Sequence, residues 1–452
     1  MATSSAHNKL QVEISNRQIL KIALPIALAM VVPQLNYLTN NVFLGWLGET
    51  ELGVAGITGV FYMVPALIGN GLNSGLQAII SRRAGENRPD EIGRTFAQAI
   101  WIAMFFAIGA ILLTYLFAPY FLSANLQSAH VEKQAIDFMK IRIWGLPFLY
   151  LFQLGNGLLI GTNNTRYMKY AFATEAGFNI LLDYVLIFGK WGFPELGFNG
   201  AAYASIAAEV IAASVVFGVF FYKKFNKSFS LFAHLRYNAS LAALVFRQSA
   251  PLVLQWGISI VAWLYFYFLI ENTGERPLAI SNAMRNIFGL IGIFGWAFAS
   301  TANSMISNII GQGKKDKVLF LINKIMSLSL LFTASLCIVI NLFPDIFLMV
   351  YDQTAGFNEE AIPVIRMVSV GVLGMSMATV WLNAVTGSGN SKMNLYIEVV
   401  AITLYAAYLY LIFNVWHFNL VWVWSSELLY WGSLFIFSFI YMKSGRWKKK
   451  VI

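Results

Sequence analysis

The sequence has little charge, one cysteine and four histidines. Asp, Glu, Lys and Arg make up 12% of its 452 residues, and hydrophobic residues make up 58%. Because soluble globular proteins carry about 25% charged residues, this composition excludes that class and predicts a membrane-embedded protein. The single Cys337 excludes a disulfide within the chain and a cysteine-rich metal site. The histidines form no pair at metal-ligand spacing, so we expect no metal and no cofactor.

Motifs of enzymes and of ATP-driven pumps are also missing. The sequence contains no His-Glu-x-x-His, no Gly-x-Ser-x-Gly and no Walker lysine loop. Residues 1–16 are polar and the first apolar run has the full length of a span, so no cleavable signal is predicted. We therefore expect neither an enzyme nor direct use of ATP. A membrane enzyme or a receptor is a weak alternative, because the sequence offers no catalytic constellation and no sizeable extramembrane domain.

Apolar segments of about 20–30 residues recur along nearly the whole chain, each long enough to cross a hydrocarbon core of about 30 Å. They predict an all-α membrane protein with twelve transmembrane helices. The predicted helices cover residues 18–47, 51–80, 93–121, 135–160, 168–190, 199–222, 242–271, 277–309, 318–343, 361–386, 394–414 and 419–442.

The basic residues are distributed unequally between the two sides of this arrangement. Of the 31 Lys and Arg residues, 24 fall on one side and 7, among them Arg142, on the other. Cytoplasmic flanks hold the excess of Lys and Arg, so both termini are predicted to be cytoplasmic. The net charge of +10 then mostly reflects the excess of Lys and Arg on the cytoplasmic side, and these residues also attract anionic lipid headgroups. No nucleic-acid partner is expected, because the basic residues are spread over every inner loop.

The two halves of the sequence repeat each other. A shift of residues 17–166 by 226 positions superimposes one proline pair and several glycine, acid and asparagine pairs, which include Pro25–Pro251, Gly48–Gly274, Glu49–Glu275, Gly85–Gly311, Gly145–Gly371, Gly161–Gly387 and Asn164–Asn390. Because each repeat holds six spans, the copies point the same way and are related by a pseudo-two-fold axis along the membrane normal. The sequence predicts an N-terminal lobe at 1–222, a cytoplasmic linker at 223–240 and a C-terminal lobe with a basic tail at 241–452.

Several segments follow one another in a characteristic order. They are Asn40-Asn-Val-Phe-Leu-Gly45 in the first helix, Gly85-Glu-Asn-Arg88 after the second, Asn179-Ile-Leu-Leu-Asp183 in the fifth and Pro194-Glu-Leu-Gly197 before the sixth. With the repeat, they resemble the multidrug and toxic compound extrusion (MATE) family over nearly the whole chain. The resemblance implies a V-shaped pair of six-helix lobes in the bacterial plasma membrane. It also implies export of organic, often cationic, compounds in exchange for protons or sodium ions.

Polar residues inside the predicted spans are the candidates for ion coupling, because a carboxylate there is costly unless it is solvated or paired. Glu175, Asn179 and Asp183 are spaced i, i+4 and i+8, which places them on one face of the fifth helix. Asn36 and Asn40 are one turn apart on the first helix, and the two polar stripes could face each other. We predict that Asp183, Glu175, Asn179 and Asn40 bind the coupling ion. A proton is favoured because two nearby carboxylates in a low dielectric favour its uptake, with sodium as the alternative.

The chain departs from the family pattern at several positions. The resemblance implies a coupling aspartate at the position of Asn40, an acid on the seventh helix at Ser259 and another on the tenth near Met375, and all three acids are missing. We therefore expect no sodium site in the C-terminal lobe. Glu175 stands where the family commonly has asparagine, so it is a candidate replacement for the acid lost from the first helix. Asp183 matches the fifth-helix aspartate of the family.

The predicted substrate cavity contains Asn36, Glu209, Trp263 and Arg285. Aromatic rings suit flat or cationic compounds, although each ring also fits packing or an interfacial belt. Glu209 has an alternative role as the structural partner of a nearby donor. A gap of eight residues aligns it with Glu427, and a duplicated acid favours that structural role.

The leading interpretation is a secondary active multidrug efflux antiporter that exchanges amphipathic or cationic compounds for protons. Its expected partners are a small-molecule substrate and membrane lipid, and the expected oligomeric state is a monomer. Protonation of the N-lobe acids would bend the helix that holds Pro25 and Pro33 and so weaken substrate binding. The alternative is a flippase for lipid-linked oligosaccharides or a polysaccharide exporter of related fold, which would bind phosphates through cavity arginines.

Overall fold

The computed structural model describes residues 10–233, 235–349, 356–416, 419–450 and 452. This part of the chain is helical and contains no strand. Twelve of its helices are long and apolar enough to cross a membrane, so the predicted fold class and number of spans are confirmed. They are α1 Asn16–Leu47, α2 Glu49–Gly85, α3 Pro89–Asn125, α4 Ala129–Gly161, α5 Thr165–Phe188, α6 Phe198–Tyr222, α7 Ala239–Glu271, α8 Glu275–Gly311, α9 Lys315–Leu342, α10 Phe357–Gly387, α11 Ser391–Trp416 and α12 Leu420–Lys443.

Equivalent glycines of the two repeats lie at equivalent helix ends. α2 and α8 each have 37 residues and begin directly after Gly48 and Gly274, whose φ angles are 157° and 123°. Glycine adopts a positive φ without the clash that a Cβ would bring, so the same sharp turn starts both helices. α4 and α10 end at the equivalent Gly161 and Gly387. These two glycine pairs therefore mark the same helix start and the same helix end in each copy.

Two of the helices contain a non-α turn, and one stays continuous through two prolines. α4 contains a 3-10 turn at Ile143–Gly145, directly before the helical segment Leu146–Gly161. α11 ends in a π-helical turn at Ile412–Trp416. α1, in contrast, stays helical through both Pro25 and Pro33. The bending of α1 on protonation stays a prediction.

Packing divides the described chain into two compact units. The N-terminal unit is Leu28–Val253, and the C-terminal unit is Leu254–Ile452 together with the described residues up to Ala27. The boundaries lie inside α1 and α7, at Leu28 and Leu254, which are equivalent in the repeat. The lobes predicted at 1–222 and 241–452, with their linker at 223–240, are defined by the repeat and not by compactness, and they stay a prediction.

Each unit has an apolar core to which six helices contribute. In the N-terminal unit the core cluster takes Phe43 and Leu44 from α1, Val54 from α2, Leu122 from α3, Ala135 from α4, Ile187 from α5 and Phe198 from α6. The larger cluster of the C-terminal unit includes Phe266, Met284, Ile340, Val368, Tyr405 and Trp424, one from each of α7 to α12. In lipid such cores are held by close packing more than by the exclusion of water.

Candidate functional site

The polar face of α5 is buried in the N-terminal unit. Asp183 is 0% exposed and Asn179 is 4% exposed. The Asn179 amide nitrogen donates to the Ser205 hydroxyl on α6 at 3.5 Å. Neither carboxylate oxygen of Asp183 has a hydrogen-bond partner among the described residues. Burying a carboxylate without a donor costs several kcal/mol, which makes the Asp183 carboxyl a candidate for binding a proton or a cation.

The polar segment of α1 lies beside the same part of α5. Leu44 of α1 and Ile187 of α5 belong to one buried apolar cluster. Asn40 precedes Leu44 by one turn and Asp183 precedes Ile187 by one turn. Because α1 and α5 are both odd-numbered spans and run in the same direction, both polar residues lie on the same side of that cluster. The side-chain oxygens of Asn40 and Asn36 are also buried and have no partner in the described part of the chain.

A buried ion pair joins α4 to α6. The Arg142 guanidinium donates to both carboxylate oxygens of Glu209, at 3.0 and 2.5 Å. The Tyr62 hydroxyl of α2 donates to the same carboxylate at 3.4 Å, and the Arg142 guanidinium carbon lies 3.9 Å from the centre of the Tyr62 ring. The Arg142 and Glu209 side chains are only 12% and 5% exposed. The sequence analysis counted Arg142 among the charges of the outer flank, whereas the structure buries it within α4.

Arg142 links this ion pair electrostatically to the unpaired acids. It interacts with Asp183 and with Glu175, and Glu175 also interacts with Glu209. One oxygen of Glu175 is buried without a hydrogen-bond partner among the described residues. Three carboxylates and one guanidinium carry a net charge of −2 when all are ionised. The cluster therefore becomes neutral when it takes up two monovalent positive charges, as protons or as cations.

The structure assigns Glu209 a partner and supports its alignment with Glu427. A Cβ added at Gly145 would overlap Glu209 Oε2, so the Glu209 carboxylate lies directly over this glycine of α4. At the equivalent position in α10, a Cβ on Gly371 would lie 3.3 Å from the Cβ of Glu427. Both acids thus face the repeated glycine. Val368 stands at the position equivalent to Arg142, so the arginine and not the acid distinguishes the two copies.

Two of the predicted cavity residues, Trp263 and Arg285, belong to the C-terminal unit. The half-buried Trp263 ring lies 5.5 Å from the ring of Tyr267 and 6.4 Å from that of Phe288. Arg285 is exposed, and its guanidinium carbon lies 5.6 Å from the centre of the Tyr267 ring. The other two, Asn36 and Glu209, belong to the N-terminal unit. The assignment of all four to a substrate cavity stays a prediction.

A second buried acid of the C-terminal unit, Glu398, was not among the predicted site residues. Glu398 of α11 is 1% exposed and accepts hydrogen bonds from Ser259 and Gln255 of α7 and from Tyr430 of α12. The position that lacks the family's seventh-helix acid, Ser259, therefore contacts an acid from another helix. A usable signal was present, because Glu398 lies inside the predicted span 394–414. Its place only four residues from the start of that span made it look like a flanking residue.

We expect Gly145→Ala to destabilise the N-terminal unit by about 1–3 kcal/mol, the usual cost of overpacking. The added methyl group would overlap both Glu209 Oε2 and Arg142 Nη1, so the ion pair must move. Gly177→Ala on α5 is the matched control, because a Cβ there meets nothing within 4 Å. The thermal midpoint of the purified protein should fall for Gly145→Ala and stay or rise for Gly177→Ala. Equal midpoints for the two variants would contradict the packing of the pair over Gly145.

Twelve spans in two equivalent sets of six, with unpaired acids buried inside them, define a membrane transport protein. More narrowly, the chain belongs to the MatE family, whose model matches residues 25–185 and 251–411. These two matches are separated by the same 226 positions as the repeat. The resemblance noted in the sequence is therefore confirmed, and the family is one of transporters.

Relatives and solved structures agree with this assignment. The chain is 25% identical to the probable multidrug resistance protein NorM of Synechocystis, over 79% of this chain and 78% of that protein. It is 21% identical to a protein of the same name from Thermotoga maritima, over 96% and 94%. A crystal structure of MATE in the straight conformation has a TM-score of 0.88 at 17% identity, covering 98% of this chain and 99% of the other. One in the bent conformation has a TM-score of 0.84 at 16% identity, covering 97% and 96%.

Proposed function

We propose that this protein exports amphipathic or cationic organic compounds in exchange for protons, as a monomer in the bacterial plasma membrane with both termini in the cytoplasm. The observation that carries the proposal is Asp183, a fully buried carboxyl group without a hydrogen-bond donor among the described residues. A carboxyl group inside the membrane is energetically costly to bury, and membrane proteins use such groups to take up and release ions. The names of the relatives, multidrug resistance protein NorM and MdtK, support organic compounds as the substrates.

The charge of the N-terminal cluster gives exchange a physical basis. With Asp183, Glu175 and Glu209 ionised and Arg142 positive, the cluster has a net charge of −2. A cationic substrate and a proton are each attracted by that charge, and each reduces the attraction for the other. Two ligands that lower one another's affinity in this way are coupled, and the coupling is reciprocal. Proton entry on one side then promotes release of the cation there.

A movement of α1 is the proposed link between ion binding and substrate release. The Asn36 and Asn40 oxygens have no partner among the described residues, so α1 contributes acceptors that a protonated Asp183 could donate to. Structures described as MATE in straight and bent conformations support two shapes for this fold. Pro25 and Pro33 remove two backbone donors from α1, which lowers the cost of bending it.

Reconstituted protein tests the proposal directly. In proteoliposomes that hold a cationic dye, an inward proton gradient should drive dye export, and addition of dye should move protons outward across the membrane. A sodium gradient of equal size, at equal pH on both sides, is the control and should drive no export. Export driven by sodium alone would replace the proton with sodium in this proposal. Net export of dye without either ion gradient would contradict ion coupling, and transport of a lipid-linked sugar instead of the dye would contradict the substrate class.

A further inference from the structure

A group of acids and tyrosines lies on three helices of the C-terminal unit, away from the cluster around Arg142. On α12, Glu427, Tyr430 and Trp431 are spaced i, i+3 and i+4 and share one face. Glu427 is 1% exposed and accepts a hydrogen bond from Trp431 Nε1 at 2.8 Å. On α11, Tyr405 lies two turns after Glu398, and its hydroxyl is 3.5 Å from Glu427. The ring centres of Tyr405 and Tyr430 are 5.6 Å apart. Tyr405 contacts Glu427 and Tyr430 contacts Glu398, so the two rings lie between the two acids.

Both acids of this group have only neutral partners. The Glu398 carboxylate accepts from Ser259 Oγ at 2.7 Å, from Gln255 Nε2 at 3.1 Å and from the Tyr430 hydroxyl. Within the described residues, no Lys, Arg or His forms an ion pair with Glu398 or Glu427. Glu209, the counterpart of Glu427, has Arg142 instead. Two buried negative charges without a cation are much more costly than one compensated pair.

The ionisable groups that face Glu398 can be named helix by helix. On α12, Tyr430 interacts with both Glu398 and Glu427. Tyr405 of α11 and Tyr267 of α7 each interact with Glu427. Arg285 of α8 faces only the Tyr267 ring. The ionisable residues of α10 in this part of the chain, which are Glu359, Glu360 and Arg366, are exposed in its first three turns. No positive charge among the described residues therefore lies in position to neutralise Glu398.

Ser259 gives the carboxyl group two possible hydrogen-bond arrangements. Its single hydroxyl hydrogen lies within reach of two acceptors, the Gln255 carbonyl at 2.9 Å and the Glu398 carboxylate at 2.7 Å. When Glu398 is ionised, the hydroxyl donates to it. When Glu398 holds a proton, the carboxyl can donate to Ser259 Oγ and the hydroxyl can turn to the backbone carbonyl. Both charge states of Glu398 thus keep a hydrogen bond between its carboxyl group and Ser259, which suits a reversible proton site.

We propose that Glu398 is a second proton-binding carboxyl group, located in the C-terminal unit and held by Ser259, Gln255 and Tyr430. Proton uptake converts the Glu398 carboxylate to the acid, with no other bond made or broken. The proposal goes beyond the N-terminal coupling cluster, and only its consequence for transport rests on the proposed proton exchange. It also changes the expectation drawn from the family pattern, because an acid on α11 occupies the surroundings of Ser259.

Infrared difference spectroscopy between low and high pH tests the site without any substrate, on the full-length protein in lipid. We expect Glu398→Gln to lose one protonated-carboxyl component that Asp183→Asn and the exposed control Glu359→Gln both retain. Ser259→Ala, which keeps the acid but removes one donor to its ionised form, should shift the loss of that component to higher pH. This second variant keeps the test decisive if Glu398→Gln does not fold.

Three results would overturn the proposal: a wild-type spectrum for Glu398→Gln, an unshifted component in Ser259→Ala, or removal of the component by sodium at constant pH. The last of these would identify a cation site in place of a proton site.

In transport, Glu398→Gln should move fewer protons per substrate than the wild type while still exporting dye. Absence of proton movement in the wild-type transport assay would contradict the proposed function and leave the infrared component unaffected, so the two failures are distinguishable.

Discussion

Asp183→Asn is expected to reduce proton-driven dye export to the level of protein-free liposomes. The amide has nearly the shape of the carboxyl group but neither binds nor releases a proton, and no hydrogen bond to either Asp183 oxygen in the described part of the chain would be lost by the change. Exchange of labelled for unlabelled dye across the membrane needs no ion and should persist. The measurement is the ratio of proton-driven export to dye exchange. This ratio should fall to near zero for Asp183→Asn and stay unchanged for the wild type.

Two controls separate this loss from misfolding. Glu195→Gln makes the same chemical change at an exposed position after α5, and it should leave export unchanged. The thermal midpoint of Asp183→Asn should not fall, because a neutral amide is cheaper to bury than an unpaired carboxylate. Driven export at the wild-type level in Asp183→Asn would remove this residue from the coupling mechanism. Loss of export together with loss of stability would instead indicate a structural role.

The fold was predictable from the sequence because two independent regularities agree. Apolar length gave the twelve helices, and the repeat places their ends, as Gly48 and Gly274 or Gly161 and Gly387 show. Both signals can be read from residue types and their positions in the chain, so they need no knowledge of packing. The polar stripe of α5 was predictable for the same reason, since the spacing of Glu175, Asn179 and Asp183 alone places them on one face.

The partners of the buried acids were not predictable in this way. Arg142 meets Glu209 across 67 positions and Ser259 meets Glu398 across 139, and no spacing rule joins residues so far apart. Charge counting assigned Arg142 to a flank because it lies within a segment rich in charge, between Lys140 and the apolar part of α4. Only packing of α4 against α6 shows that the guanidinium points inward. The repeat aligns Glu427 with Glu209 but does not predict the cation beside Glu209, because Val368 stands at the position equivalent to Arg142.

The second large effect is expected for Arg142→Met, which leaves Glu209 buried without its cation. Breaking a buried ion pair by removing one partner costs about 3–5 kcal/mol, because the remaining charge loses its compensation. Arg142 also lies over the Tyr62 ring and interacts with Asp183 and Glu175, so its removal takes a positive charge away from three carboxylates. Arg142→Lys should recover part of this loss, because an ammonium group restores the charge but not the two parallel hydrogen bonds.

A double-mutant cycle distinguishes a structural ion pair from an arginine that serves the coupling acids. We expect Arg142→Met combined with Glu209→Gln to restore most of the thermal stability, since no unpaired charge then remains in the pair. Proton-driven export should stay impaired in this double variant, because Asp183 and Glu175 still lack the positive charge that Arg142 supplies. Recovery of both stability and export would restrict Arg142 and Glu209 to a structural role. Recovery of neither would show that Arg142 stabilises the N-terminal unit through contacts other than Glu209.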